Sequence, residues 1–108
     1  MMECSLRING NVLIFNIKDI VFKVEAERIE FFGDSVMAYY LFLNNKYLTE
    51  CTDGFNVISM MRRWLYKIHR LEYRYLKQCI EQHIDDILDF CSRMAMTPHP
   101  PTTNNLPS

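Results

Sequence analysis

The first half of the chain alternates with a period of two. Asn9-Gly10 is a strong hairpin cue, and after it Leu13, Phe15 and Ile17 fall on one face of a strand over Val12 to Ile17. Lys18-Asp19 supplies a turn. Ile20, Phe22, Val24 and Ala26 then alternate with Val21, Lys23, Glu25 and Glu27, the pattern of a half-buried strand. At Glu27-Arg28 the phase slips, because Ile29 and Phe31 occupy the alternate that was polar. A period of two cannot change faces along a regular strand, so a bulge or turn is expected there. Gly33-Asp34 marks the next turn. Val36 to Leu43 is apolar on both alternates and fits either a strand covered on both sides or a buried helix. Asn44-Asn45 leads into Lys46 to Cys51, where Tyr47, Thr49 and Cys51 share a face.

Beyond Thr52-Asp53-Gly54 the period changes to that of a helix. Met61, Leu65, Ile68, Leu76, Ile80, Ile84, Ile87, Cys91 and Met94 recur at mostly three- and four-residue steps, interrupted only near Glu72. Asp53 or Asn56 can cap the start, and Thr97-Pro98 ends the pattern. The expected fold class is therefore α+β: an antiparallel β-meander of four or five short strands, then one long C-terminal α-helix. The meander covers 1–52 and the helical region 55–96, together one domain over 1–96, and the polar, proline-rich 97–108 is expected to be a disordered tail. Its Pro98-x-x-Pro101 spacing lacks the flanking basic residue of a polyproline ligand.

A continuous helix over 56–95 would run ~60 Å, whereas five strands side by side span roughly 24 Å. More than half of the apolar stripe would then need another cover. Two solutions offer themselves: a break at Arg70-Leu71-Glu72, or a homodimer in which Ile80, Ile84, Ile87 and Cys91 meet a second copy. With no turn residue to mark a hairpin, the dimer is the expectation.

Composition narrows the chemistry. Of 108 residues, 49% are hydrophobic, enough for a core, and twelve Lys+Arg against thirteen Asp+Glu leave a formal charge of −1, which is no polycation. The longest apolar run, Val36 to Leu43, falls far short of the ~20 residues a membrane helix needs. No signal-peptide pattern opens the chain, and the cysteines, Cys4, Cys51, Cys79 and Cys91, form no C-x-x-C pair. A cytoplasmic protein with reduced thiols is expected. Cys79 and His83 stand four apart, a spacing that suits two metal ligands, but no second pair completes a site, so core packing is expected and neither metal nor cofactor. Among Gly10, Gly33 and Gly54 there is no phosphate loop, and His69, His83 and His99 have no nucleophile and carboxylate at a suggestive spacing.

Charge is divided unevenly along the helical half. Residues 60–78 carry Arg62, Arg63, Lys67, Arg70, Arg74 and Lys77 against the single acid Glu72; residues 79–92 carry Glu81, Asp85, Asp86 and Asp89 and no base. In one helix that order opposes the macrodipole, which suggests that the bases serve a partner. Interleaved with Trp64, Tyr66, Tyr73 and Tyr75, they make a candidate binding face of Arg62, Arg63, Trp64, Tyr66, Lys67, Arg70, Tyr73 and Arg74. Arg, Trp and Tyr dominate protein interfaces, and the near-neutral total charge favours a protein partner over a nucleic acid that would take the same groups. The expected function is that of a small adaptor or inhibitor, not an enzyme.

One stretch suggests an alternative. Residues 27–35 read E-R-I-E-F-F-G-D-S, which resembles the ribonuclease III signature E-R-L-E-F-L-G-D-S. The resemblance implies that the stretch is helical and that Glu27 and Asp34, with Glu30, help bind divalent metal ions, joined by a later pair for which Asp86 and Asp89 are the nearest candidates. Read by its own pattern, the same stretch is a strand entering a Gly-Asp turn.

Overall fold

Four two-residue loops set the architecture of the chain, which a computed structural model describes over residues 3–96. The strands are β1 (Cys4–Asn9), β2 (Val12–Ile17), β3 (Ile20–Phe31), β4 (Asp34–Leu43) and β5 (Lys46–Cys51), joined in an antiparallel sheet of order β1-β2-β3-β4-β5. Each loop has a residue with positive φ: Gly10, Lys18, the pair Phe32-Gly33 and the pair Asn44-Asn45. Left-handed residues of this kind match the twist of the strands they join. Asn44 also ties the sheet together: its N–H donates to the Val21 carbonyl and its Oδ1 accepts from the Val21 N–H, both at 2.8 Å.

Three helices follow: α1 (Gly54–Ile68), α2 (Tyr73–Gln82) and α3 (Ile84–Met96). The Asp53 carboxylate caps α1 by accepting from the Asn56 N–H at 2.8 Å. The helices cover one face of the sheet. Leu13, Phe15, Phe22, Val24 and Leu41 from the strands meet Met61, Leu65, Leu76, Ile80, Ile87 and Phe90 from the helices, all essentially inaccessible to water. The Tyr39 hydroxyl, inside this layer, donates to the Cys91 carbonyl at 2.7 Å. The opposite face of the sheet is open, with Ile14, Lys23, Phe42 and Tyr47 in one cross-strand row.

The single long helix expected from the stripe is thus three. The first break falls at Arg70-Leu71-Glu72, where Leu71 is fully exposed and Glu72 accepts from Lys18 Nζ at 3.1 Å. The second falls at His83, whose N–H donates to the Ile80 carbonyl and whose Nδ1 lies 3.0 Å from the Cys79 carbonyl oxygen. Folding back puts Ile80, Ile87 and Cys91 in the core of the single chain, with Ile84 packed against it. The stripe that called for a second copy is covered within the chain itself. The reversed charge order is relieved at two helix ends: Lys67 lies in the last turn of α1 and Asp85 and Asp86 in the first turn of α3, the ends a helix dipole favours for each sign. Within α2 it persists, with Arg74 in the first turn and Glu81 in the last.

No bulge interrupts β3 at Glu27-Arg28, where the register with β4 is continuous. The apolar alternate changes because the surroundings do. β2 reaches only as far as Glu25, and past it β3 and β4 project as a two-stranded arm. There the helix-facing side chain is Arg28, which donates to the Ala95 carbonyl at the end of α3. The irregularity lies instead between β4 and β5, where Leu41 pairs with Thr49 and Phe42 with Tyr47, leaving Leu48 extra. Tyr47 therefore lies on the open face and Cys51 in the core, rather than on one shared face. The expected tail, 97–108, lies outside the described residues.

Candidate functional site

The apolar positions Val57, Ile58, Met61 and Leu65 turn one side of α1 to the sheet, which leaves Arg63, Tyr66 and Lys67 pointing outward. Arg62 and Trp64 flank them, half-buried. The Lys67 ammonium lies 4.9 Å from the centre of the Trp64 ring. At the end of α1 the chain turns through Arg70-Leu71-Glu72 and brings Tyr73, at the start of α2, edge-on against Tyr66 at 5.2 Å. Arg70 sits 5.8 Å from the Tyr66 ring centre and Lys77 5.9 Å from that of Tyr73. The result is a row, Arg70–Tyr66–Tyr73–Lys77, that bridges the corner between α1 and α2, with Arg74 outward beside it.

The structure therefore gathers most of the candidate face at one corner, although two separate helices supply it. Among the described residues the ion pairs are Lys18–Glu72, Lys23–Glu25 and Arg93–Asp89. None of Arg62, Arg63, Lys67, Arg70, Arg74 and Lys77 is in that set. The one acid of the corner, Glu72, is engaged by Lys18, whose pKa rises through that hydrogen bond and the charge of Glu72. The corner is consequently a patch of positive charge held over rings, each such contact contributing about 0.5–1 kcal/mol at exposed sites. Sequence reasoning missed its apolar part. Leu71 is fully exposed, and Ile68, expected on the buried stripe, is about half exposed, as is Tyr75 among the interleaved rings. The available signal was that Leu71 stands off the helical stripe beside the one polar interruption in it.

Comparison with protein-family models, curated proteins and solved structures finds no match.

The stretch that resembles the ribonuclease III signature forms the arm: Glu27 and Glu30 lie on β3 and Asp34 opens β4, so it is a hairpin and not a helix. Asp86 and Asp89 lie on α3. Among the described residues, no three His, Cys, Asp or Glu side chains gather as a group able to hold a metal ion. Cys79 and His83 do not point at a common ligand; the His83 ring faces the Cys79 carbonyl and packs against Phe15 at 5.2 Å. All four thiols are free, and burial pushes those of Cys79 and Cys91 up to about 12 and that of Cys51 up to about 11. Thiols so protonated are poor nucleophiles. Among the described residues no helix is long and apolar enough to cross a membrane.

Proposed function

We propose that the chain is a binding protein, an adaptor or inhibitor, that takes an acidic segment of a protein partner on the α1–α2 corner. The observation that carries this reading is the fully exposed Leu71 at the turn between α1 and α2, with half-exposed Ile68 and Tyr75 three and four residues away along the chain. The helices on either side carry Arg63, Lys67, Arg74 and Lys77, which have no carboxylate partner among the described residues. Cations over rings would serve a nucleic acid equally well. Leu71 and Ile68 would not: their gain comes from leaving water against another apolar surface, roughly 25 cal/mol per Å². An apolar centre ringed by Arg, Lys and Tyr is the composition of a protein interface hot spot.

The test is to pan a library of random heptapeptides on the immobilised protein. Acidic peptides with an apolar residue should be enriched, and both the Arg63→Glu/Arg70→Glu variant and Leu71→Ser should lose them with the melting temperature within a few degrees of wild type. No acidic class, or acidic peptides retained by these variants, overturns the proposal. Tight binding of a single-stranded oligonucleotide, with log affinity falling steeply and linearly in log salt, would overturn it in favour of nucleic acid.

A further inference from the structure

The arm has an open edge beside an apolar groove. β5 ends at Cys51, opposite Tyr39, whereas β4 begins at Asp34, so residues 34–38 have a strand neighbour on the β3 side alone. The direction of their backbone groups follows from the alternation of an antiparallel ladder. The Asn44 N–H points at β3, where it meets the Val21 carbonyl. Stepping back by twos, Phe42, Tyr40, Ala38 and Val36 also turn their N–H and C=O toward β3. Ser35 and Met37 therefore turn theirs to the open edge.

Along this edge runs a groove of about 740 Å³. Its walls are Val36 and Met37 of β4, Phe55 at the start of α1, and Leu88, Cys91 and Ala95 of α3. Its rim is acidic: Glu50 and Asp53 line it, and Glu30 and Asp34 stand exposed on the arm. The cation nearest the arm, Arg28, is committed to the Ala95 carbonyl at 2.9 Å and the Ser35 hydroxyl at 3.1 Å.

We propose that this edge takes an extended, basic segment of a partner protein as a sixth strand in line with β5. Main-chain hydrogen bonds to Ser35 and Met37 would fix it, alternate apolar side chains would enter the groove, and Lys or Arg side chains would meet the acidic rim. A second copy pairing edge to edge fits worse, because it would set the same acids against each other. The groove meets α1 at Phe55, the opposite end of that helix from the α1–α2 corner, and its rim has the opposite charge, so the two readings stand or fall separately.

The same heptapeptide library tests it. A second enriched class should be basic with apolar residues at alternate positions. Synthetic members should bind wild type and the Arg63→Glu/Arg70→Glu variant alike, and lose at least about tenfold in affinity on Ala95→Trp, which fills the groove, and on Glu50→Lys, which reverses the rim. Methylating alternate peptide nitrogens should abolish binding, and the amides of Ser35 and Met37 should exchange more slowly in the complex. Absence of a basic alternating class, binding indifferent to both groove variants, or unchanged exchange at Ser35 and Met37 overturns the proposal. So does a doubled mass in light scattering that Ala95→Trp returns to the single chain, which assigns the edge to a second copy. Glu50→Lys keeps the test open should Ala95→Trp fail to fold.

Discussion

The tip of the arm stores backbone cost that a single substitution should release. Phe32 and Gly33 form the two-residue loop, both left-handed, with φ of 52° and 84°. Asn-Gly suits such a loop, whereas an ordinary L residue at the first position costs about 1–2 kcal/mol. Little offsets this for Phe32. It is 92% exposed, and its ring meets that of Phe31, itself 59% exposed, edge-on at 4.6 Å. Aromatic pairs contribute ~0.5–1.5 kcal/mol, and one so open to water belongs at the lower end. Phe32→Asn therefore gives up about 0.5 kcal/mol and recovers at least about 1, a net stabilisation of roughly 0.5–1 kcal/mol. Urea denaturation measures it directly, and in a domain of this size about 1 kcal/mol moves the melting temperature by ~4–8 °C. Gly33→Ala is the companion. An added Cβ there meets nothing within 4 Å, so its cost is backbone alone, about 1 kcal/mol of destabilisation. A destabilised Phe32→Asn would show that the ring is held by contacts the arm itself does not offer. A neutral Gly33→Ala would show that the loop is not left-handed.

Other consequences concern the core. A Cβ on Gly54 would lie 2.9 Å from Leu88 Cδ2 and 3.2 Å from Cys91 Cβ, so Gly54→Val should lower stability by about 1–3 kcal/mol; an unchanged melting curve would contradict the close approach of α1 and α3. Asp53→Ala removes the α1 cap and should cost about 1 kcal/mol, read as a lower urea midpoint with an unchanged slope. Burial raises Cys51 to about 11 and Cys79, Cys91 and Tyr39 to about 12. The unfolded chain then ionises first, so the stability from these groups is whole below pH 9 and is lost as pH rises through 11 to 12. The slope reaches about 1.4 kcal/mol per pH unit for each group. Urea midpoints under reducing conditions at pH 8, 9.5 and 10.5 should fall in that order, and a flat series would refute the burial of the thiols.

The meander was legible because strand alternation and turn chemistry agreed. Leu13, Phe15, Ile17, Phe22 and Val24 all fall on the face they were read to occupy, and Val36 to Leu43 forms β4. The bulge was misplaced because alternation records which side of a strand is apolar, not what covers it. At Ala26 the sheet narrows to the arm, and the apolar side changes without any backbone irregularity. The candidate face was legible as composition, since the bases and rings are crowded into 60–78, but its shape was not. Tyr66 and Tyr73 meet across a helix break, and Leu71 is exposed because it is the corner.

The breaks themselves left a trace in the charges. Over one helix, bases followed by acids oppose the macrodipole, and that order suggested a role for a partner. That order is relieved in part if the chain stops and restarts between them, because Lys67 and the pair Asp85-Asp86 then sit at ends that prefer their sign, worth about 0.3–1 kcal/mol per charge. Arg74 and Glu81 still oppose the dipole of α2. Lys67 ends α1; Asp85 and Asp86 open α3 and Arg93 closes it. The violated dipole therefore counts against a continuous helix between Lys67 and Asp85, where both breaks occur, although α2 between them keeps the unfavourable order. The case for a partner rests instead on what segmentation does not explain: Arg63, Arg70 and Arg74 without carboxylates among the described residues, around a leucine that the fold leaves wholly in water.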